Sequence, residues 1–240
     1  MTGELAGRVI AVTGATGGIG RALCHAAAQR GAELILLARN GAKLRALHAE
    51  LELVSPGAAL MAPLDLEKAV AGDYDRIAAA VEGRYGRLDG LVHCAALLGT
   101  LTPIELYEVP TWCRVMHVNL TAAFALTQVL LPALRRSPDA SVIFTSSSVG
   151  RKGRAHWGAY AASKFALEGL SQVLADELSG NSRVRVNTIN PGPARTLMRR
   201  QAYPSENLES VPLPEMLLEP YLQLLGSQGA GTTGQLLSSQ

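Results

Sequence analysis

Cysteine is scarce in this chain: three residues, Cys24, Cys94 and Cys113, among 240. The number is odd and no pair stands at metal-ligand spacing, so neither a disulfide framework nor a common zinc site is expected. The three read as buried free thiols in a reducing, cytoplasmic setting. Charge is sparse too, at 18% of residues with a formal net charge of +2 and no lysine-rich block. So weak a field argues against nucleic acid or a membrane surface gathered by long-range attraction. The first seven residues are polar or small, and the first apolar run is at once strand-like, so no signal peptide is expected. No unbroken apolar run reaches the length of a bilayer span. No internal repeat, charge block or linker divides the sequence. A single domain over residues 1–240 follows, and a chain that is 48% hydrophobic is long enough to bury a sizeable core.

What is present is an alternation. Short apolar runs at residues 8–13, 33–38, 58–64, 90–95, 140–145 and 184–189, the first of them rich in β-branched residues, are separated by helical stretches at 18–30, 42–53, 74–85, 111–136 and 159–178. A short last strand is expected at 235–237. This pattern predicts βαβ units with right-handed crossovers: an α/β fold, a Rossmann-type doubly wound parallel sheet with helices on both faces. Residues 191–228 stand apart, rich in Pro, Gly and polar residues. In open α/β sheets ligands sit beyond the C-terminal strand edges, so this segment is either a cover over a substrate or an ordinary surface excursion.

The first apolar run ends in Gly14-Ala15-Thr16-Gly17-Gly18-Ile19-Gly20. Strand, glycine-rich turn and helix together make a phosphate site, because glycines admit close backbone approach and the helix N-terminus offers unpaired N–H groups. The spacing of Gly14, Gly18 and Gly20 is G-x-x-x-G-x-G, not the commoner G-x-G-x-x-G. Further along, Tyr160 and Lys164 in Y-A-A-S-K lie one helical turn apart and share a face. A cation near a phenol favours the phenolate, so Lys164 is expected to lower the Tyr160 pKa and let it exchange a proton with a substrate oxygen. Ser147 stands thirteen residues before Tyr160, at the end of the fifth apolar run, where its hydroxyl could bond the same oxygen. The groups suit carbonyl or alcohol chemistry.

With T-G-A-T-G-G-I-G at the glycine turn, Asn119 in H-V-N-L, the run Ser146 to Ser148, Y-A-A-S-K, and Asn190-Pro191-Gly192, the sequence resembles the short-chain dehydrogenase/reductase family over nearly its whole length. Within that family, V-H-C-A-A-L-L-G from Val92 and the stretch from Ser146 to Lys164 are similar to the bacterial YciK-type oxidoreductases, a subgroup poorly defined in substrate. The resemblance implies a tetrad of Asn119, Ser147, Tyr160 and Lys164. Tyr160 would be general acid in reduction, Ser147 would hold the substrate oxygen with Ser146 and Ser148 as rivals, and Lys164 would also bond the nicotinamide ribose. Asn119 would support a water relay to Lys164. Cofactor contacts are implied at Gly14, Thr16, Gly18, Ile19, Gly20, Arg39, Asp65, Cys94, Ala95, Asn119, Tyr160, Lys164, Pro191, Gly192, Ala194 and Thr196, with no metal.

The second strand ends Ala38-Arg39-Asn40 without the carboxylate expected of an NAD-selective site, so NADP(H) is expected over NAD(H), Arg39 pairing with the 2′-phosphate. Arg39 could equally be solvated, and Asp65 could cap a helix rather than contact adenine. Two departures from the family stand out. His93-Cys94-Ala95-Ala96 replaces N-N-A-G, exchanging a glycine for Ala96, which tolerates positive φ poorly; and the usual terminal V-D-G-G-like segment is missing. His93, inside an apolar run, reads as structural. Arg151, Lys152 and Arg154 either face an anionic substrate or form a solvated loop. Small residues on the long helices, Ala122, Ala123, Ala161, Ala162 and Ala166, suggest a homodimer or homotetramer, though burial against the chain's own sheet explains them as well. The expected activity is NADPH-dependent reduction of a ketone or aldehyde, or the reverse. The alternatives are a 3-oxoacyl thioester reductase and a catalytically silent NADP(H)-binding sensor or scaffold.

Overall fold

The five residues of β1 (Val9–Thr13) are all buried and divide by parity: Ile10 and Val12 point to one side of the sheet, Val9 and Ala11 to the other. A strand apolar on both sides must be covered on both, which is what a parallel sheet between helical layers provides. The structure, a computed structural model, describes residues 3–239. Its order is β1, α1 (Gly18–Gln29), β2 (Glu33–Ala38), α2 (Gly41–Glu52), β3 (Ala59–Pro63), α3 (Ala71–Tyr85), β4 (Gly90–His93), α4 (Val109–Met116), α5 (Ala122–Arg135), β5 (Ala140–Thr145), α6 (Gly158–Leu178), β6 (Val184–Asn190), α7 (Leu197–Ala202), α8 (Glu219–Leu225) and β7 (Leu236–Ser238). The strands form one parallel sheet ordered β3-β2-β1-β4-β5-β6-β7, the doubly wound arrangement that the alternation predicts.

One core layer packs α1, α2 and α8 on the sheet through Leu23, Leu44 and Tyr221; the other packs α3, α5 and α6 through Val81, Leu126 and Leu167. The strand order reverses between β1 and β4, and the segments leaving β4, β5 and β6 line one cleft together with Ile19 of α1.

Three features differ from expectation. The helix expected over 111–136 is interrupted at His117–Thr121 by a π-turn that links α4 to α5 and carries Asn119; such bulges depend on tertiary contacts that a local pattern does not encode. Within Val109–Arg135 an 18-residue window reaches a mean hydropathy of 1.4, enough by length and composition for a bilayer span although no apolar run in it is unbroken. Here its apolar side is spent on the second core layer, where Ala122, Ala123, Leu126 and Leu130 are buried. Finally, residues 191–228 are two things: α7 flanks the cleft, whereas Leu217, Leu218, Tyr221, Leu222, Leu224 and Leu225 are core residues.

Candidate active site

The glycine turn is shaped by close approach. Gly14 has φ +64°, and a Cβ there would fall 2.9 Å from the Cα and the N of Ala95, so the turn after β1 lies directly on the chain leaving β4. Ala95 N–H donates to Thr13 Oγ1 across the same gap (3.2 Å). At the start of α1, Gly17 supplies no side-chain cap and the first turn holds no acid. Its N–H groups are thus free of competing side chains, which fits a phosphate. Thr16 and Ile19 are half-buried beside it, and Gly20 packs against the Gly14 carbonyl.

At the far end of that turn Arg39 is exposed and lies 3.6 Å from Glu67, which also pairs with Arg114 of α4 at 3.1 Å. Asp65 accepts a hydrogen bond from Glu67 N (3.2 Å), closing a turn after β3; it caps no helix, since α3 begins at Ala71 with Val70 as its N-cap. Asn40 caps α2 by accepting from Lys43 N.

The cleft holds Tyr160 and Lys164, both buried, on one face of α6. Lys164 Nζ donates to Thr145 O at the end of β5 (2.7 Å) and lies 5.6 Å from the Tyr160 ring centroid. The expected tuning of Tyr160 is not met: burial pushes its phenol up to about 12, opposed by the Ser147 side chain and not by Lys164. It is Lys164 that is strongly moved, burial bringing it down to about 8. Among the three serines, Ser146 Oγ donates to the buried Glu168 carboxylate (2.5 Å), whereas the Ser147 side chain is the one that meets the Tyr160 phenol. Asn119 is not free to join a relay through its side chain. Its Oδ1 accepts from Leu97 N (2.7 Å), and its Nδ2 donates to Leu97 O (2.9 Å) and Ser163 Oγ (3.0 Å), so it clamps the chain beyond β4 to α6.

The substituted H-C-A-A segment is accommodated without strain. His156 is the only described non-glycine residue with positive φ, so Ala96 does not adopt the conformation feared for it. His93 is structural: it shares a hydrogen bond with Thr127 Oγ1 (2.9 Å), stacks on Phe144, and is held down to about 3 by burial and by Lys164. Cys94 meets Thr145 Oγ1 at 3.6 Å, a hydroxyl that also receives the Tyr221 O–H (3.1 Å). Burial pushes the Cys94 thiol up to about 11, leaving it neutral.

Around the mouth, Asn190 Oδ1 accepts from Gly192 N, Ala194 is buried, and Thr196 caps α7 by accepting from Arg199 N, its methyl lying against Gly18. Pro191, Gly192, Ala194 and Thr196 all line the cleft, of about 310 Å³. Of the three basic residues, only Arg154 lines it, reaching Tyr203 Oη; Arg151 turns away to Glu168 and Leu237 O. Sequence reasoning missed Thr145, Trp157, Tyr203 and Glu168. Only Glu168, two turns after Tyr160 on the same face, left a legible signal.

A phosphate-ready turn at the start of α1 and a tyrosine–lysine pair in the cleft agree with the family model for short chain dehydrogenase, which matches residues 8–207; the chain belongs to that family. It is 45% identical to the oxidoreductase YciK of Escherichia coli strain K12 over 97% of this chain and 92% of the relative. Among solved structures, a short-chain dehydrogenase from Pseudomonas syringae superposes with a TM-score of 0.98 at 51% identity, covering 100% of this chain and 97% of the other. One from Shigella flexneri 2a, solved in complex with NADP, superposes at 0.97 with 43% identity, each chain covered in full. The chain is therefore an oxidoreductase of the short-chain type.

Proposed function

We propose that the protein reduces a ketone or aldehyde with NADPH, or runs the reverse alcohol oxidation, with Ser147, Tyr160 and Lys164 acting directly on substrate and cofactor. The observation that carries this is the convergence of Ser147, Tyr160 and Lys164 in one cleft, which Ile19 of α1 also lines. The nicotinamide, when bound, supplies the hydride. The chain's own part is to hold and to protonate. Ser147 bonds the carbonyl oxygen. Tyr160, protonated throughout the physiological range by its burial, is the proton donor. Lys164 brings its ammonium to the ribose side, and Asn119 fixes the segment after β4 on which the cofactor rests. NADP(H) over NAD(H) is supported by Arg39, by the absence of a carboxylate at the end of β2, and by the NADP bound in the Shigella flexneri relative. Asp65, Cys94, Ala95 and Pro191 would contribute by shape and backbone.

A second reading, a substrate with an anionic tail such as a 3-oxoacyl thioester on a phosphorylated carrier, is favoured by Arg154, which reaches Tyr203 at the cleft mouth and has no carboxylate partner among the described residues. The test is NADPH consumption across ketones, aldehydes and 3-oxoacyl thioesters, with NADH and Tyr160→Phe in parallel. Turnover that requires NADPH and falls roughly a hundredfold or more in Tyr160→Phe, at unchanged NADPH affinity, is expected. Undiminished turnover in that variant rules out Tyr160 as the acid, and tight NADPH binding without any turnover leaves the sensor reading standing.

A further inference from the structure

Glu168 is a buried carboxylate directly beneath the candidate site. It continues the spacing of Tyr160 and Lys164 by one more turn of α6, so the three groups line one face of that helix. Burying a carboxylate is costly unless donors surround it. Glu168 Oε1 accepts from Ser146 Oγ at 2.5 Å and pairs with Arg151 Nε at 3.2 Å. Both donors lie on the segment that carries Ser147, at either end of the turn Ser148–Gly150. That segment is pressed against α6 at Gly150, where a Cβ would come within 2.9 Å of Lys164 Cβ. Ser146 N is fixed in turn to Ile189 O (2.7 Å), and Arg151 reaches Leu237 O (3.0 Å), so the carboxylate ties α6 to the ends of β6 and β7 as well.

We propose that Glu168 is a positioning residue that fixes the Ser147 segment against the helix bearing Tyr160 and Lys164 and holds the Lys164 ammonium charged by its own negative charge. Of the two groups placed to hold Lys164 charged, Cys94 does so only as a thiolate, and burial keeps it a neutral thiol, which leaves Glu168 as the standing negative charge. Tyr160, on the same helix, and Cys94, after β4, are neutral at physiological pH, since burial raises both. His93 is neutral as well, and β5 offers only the Thr145 carbonyl. Arg151 stands on the same carboxylate and opposes a second cation. Removing the charge of Glu168 therefore favours loss of the Lys164 proton.

This rests on Lys164 acting as proposed above, and the experiment separates the two. The Lys164 ammonium is titrated by NMR of lysine-labelled protein, without cofactor, in the wild type, Glu168→Gln and Glu168→Asp; the pH profile of kcat/KM and the thermal midpoint are recorded alongside. Glu168→Gln keeps an acceptor for Ser146 and Arg151 but removes the charge. Its Lys164 titration should fall by roughly half a unit to one unit, with the alkaline limb of kcat/KM moving by the same amount. Glu168→Asp should restore the titration more than the serine contact, so its kcat should remain below that of the wild type. An unchanged Lys164 titration in Glu168→Gln overturns the proposal, even if the thermal midpoint drops. If no carbonyl compound is turned over, the proposed function fails while the NMR titration still decides the role of Glu168.

Discussion

Arg39 illustrates how little of a residue's role its own position settles. Its guanidinium is three-fifths exposed and only loosely paired with Glu67, which divides its carboxylate between Arg39 and Arg114. A surface pair of this kind contributes little to stability, so Arg39 is available to a 2′-phosphate at small cost, and Glu67 is the competitor it must leave. Arg39→Asp should weaken NADPH by roughly tenfold to a hundredfold, the value of one or two charge-assisted contacts, and leave NADH nearly unchanged. Titration of nicotinamide fluorescence with both cofactors reads this directly, and equal losses would remove Arg39 from the phosphate site. The sequence exposed this residue because it rests on one absent carboxylate at a known turn. It could not expose Glu67 or Arg114, which reach the same spot from other parts of the chain. Tyr160 shows the same limit, its phenol being raised where the spacing alone predicts lowering. Proximity to Lys164 is written in the spacing, whereas the burial that outweighs it is a property of the packed cleft.

Elements were legible where they are buried on both sides. The run expected at 33–38 coincides with β2, and that at 140–145 with β5, because a short apolar run bounded by turn residues has few other uses. What failed was whatever depends on a partner. The π-turn at Asn119 exists where the chain beyond β4 bonds the asparagine amide, and H-V-N-L alone does not announce it. Residues 191–228 read as one irregular segment, a cover or a surface excursion, because proline and glycine are spread through them, yet α8 is a core helix. Tyr221 is fully buried with its hydroxyl on Thr145, and Leu225 fits against Gly90, where there is no room for a side chain. The two halves should therefore respond differently. Tyr221→Ala should cost about 3–5 kcal/mol by urea unfolding, as for other large aromatic deletions. Leu197→Ala at the exposed start of α7 should stay within about 0.5 kcal/mol. Similar losses at both sites would mean that α7 is as much a part of the core as α8.

At the scale of the whole molecule the open question is what covers the outer side of α5 and α6. The alanines that suggested self-association are partly accounted for by the fold, since Ala122, Ala123 and Ala161 are buried within this chain. The better argument is large side chains left in water: Phe124 on α5, and Phe165 and Val173 on α6, are each about half exposed although both helices already bury a full face against the sheet. A helix needs one apolar side to pack on a sheet, and aromatic residues on the other side are costly to solvate unless a second surface meets them. A second copy of this chain is the simplest cover, because α6 also carries Tyr160 and Lys164, and a rigid partner on its back would stiffen the helix that positions them. Phe165→Asp should therefore lower the mass seen by sedimentation equilibrium towards that of one chain, leave the far-ultraviolet circular dichroism unchanged, and reduce turnover through a looser α6 rather than through lost NADPH affinity. A wild-type protein that sediments as a single chain at micromolar concentration would leave these aromatics without a partner of their own kind and refute the assembly.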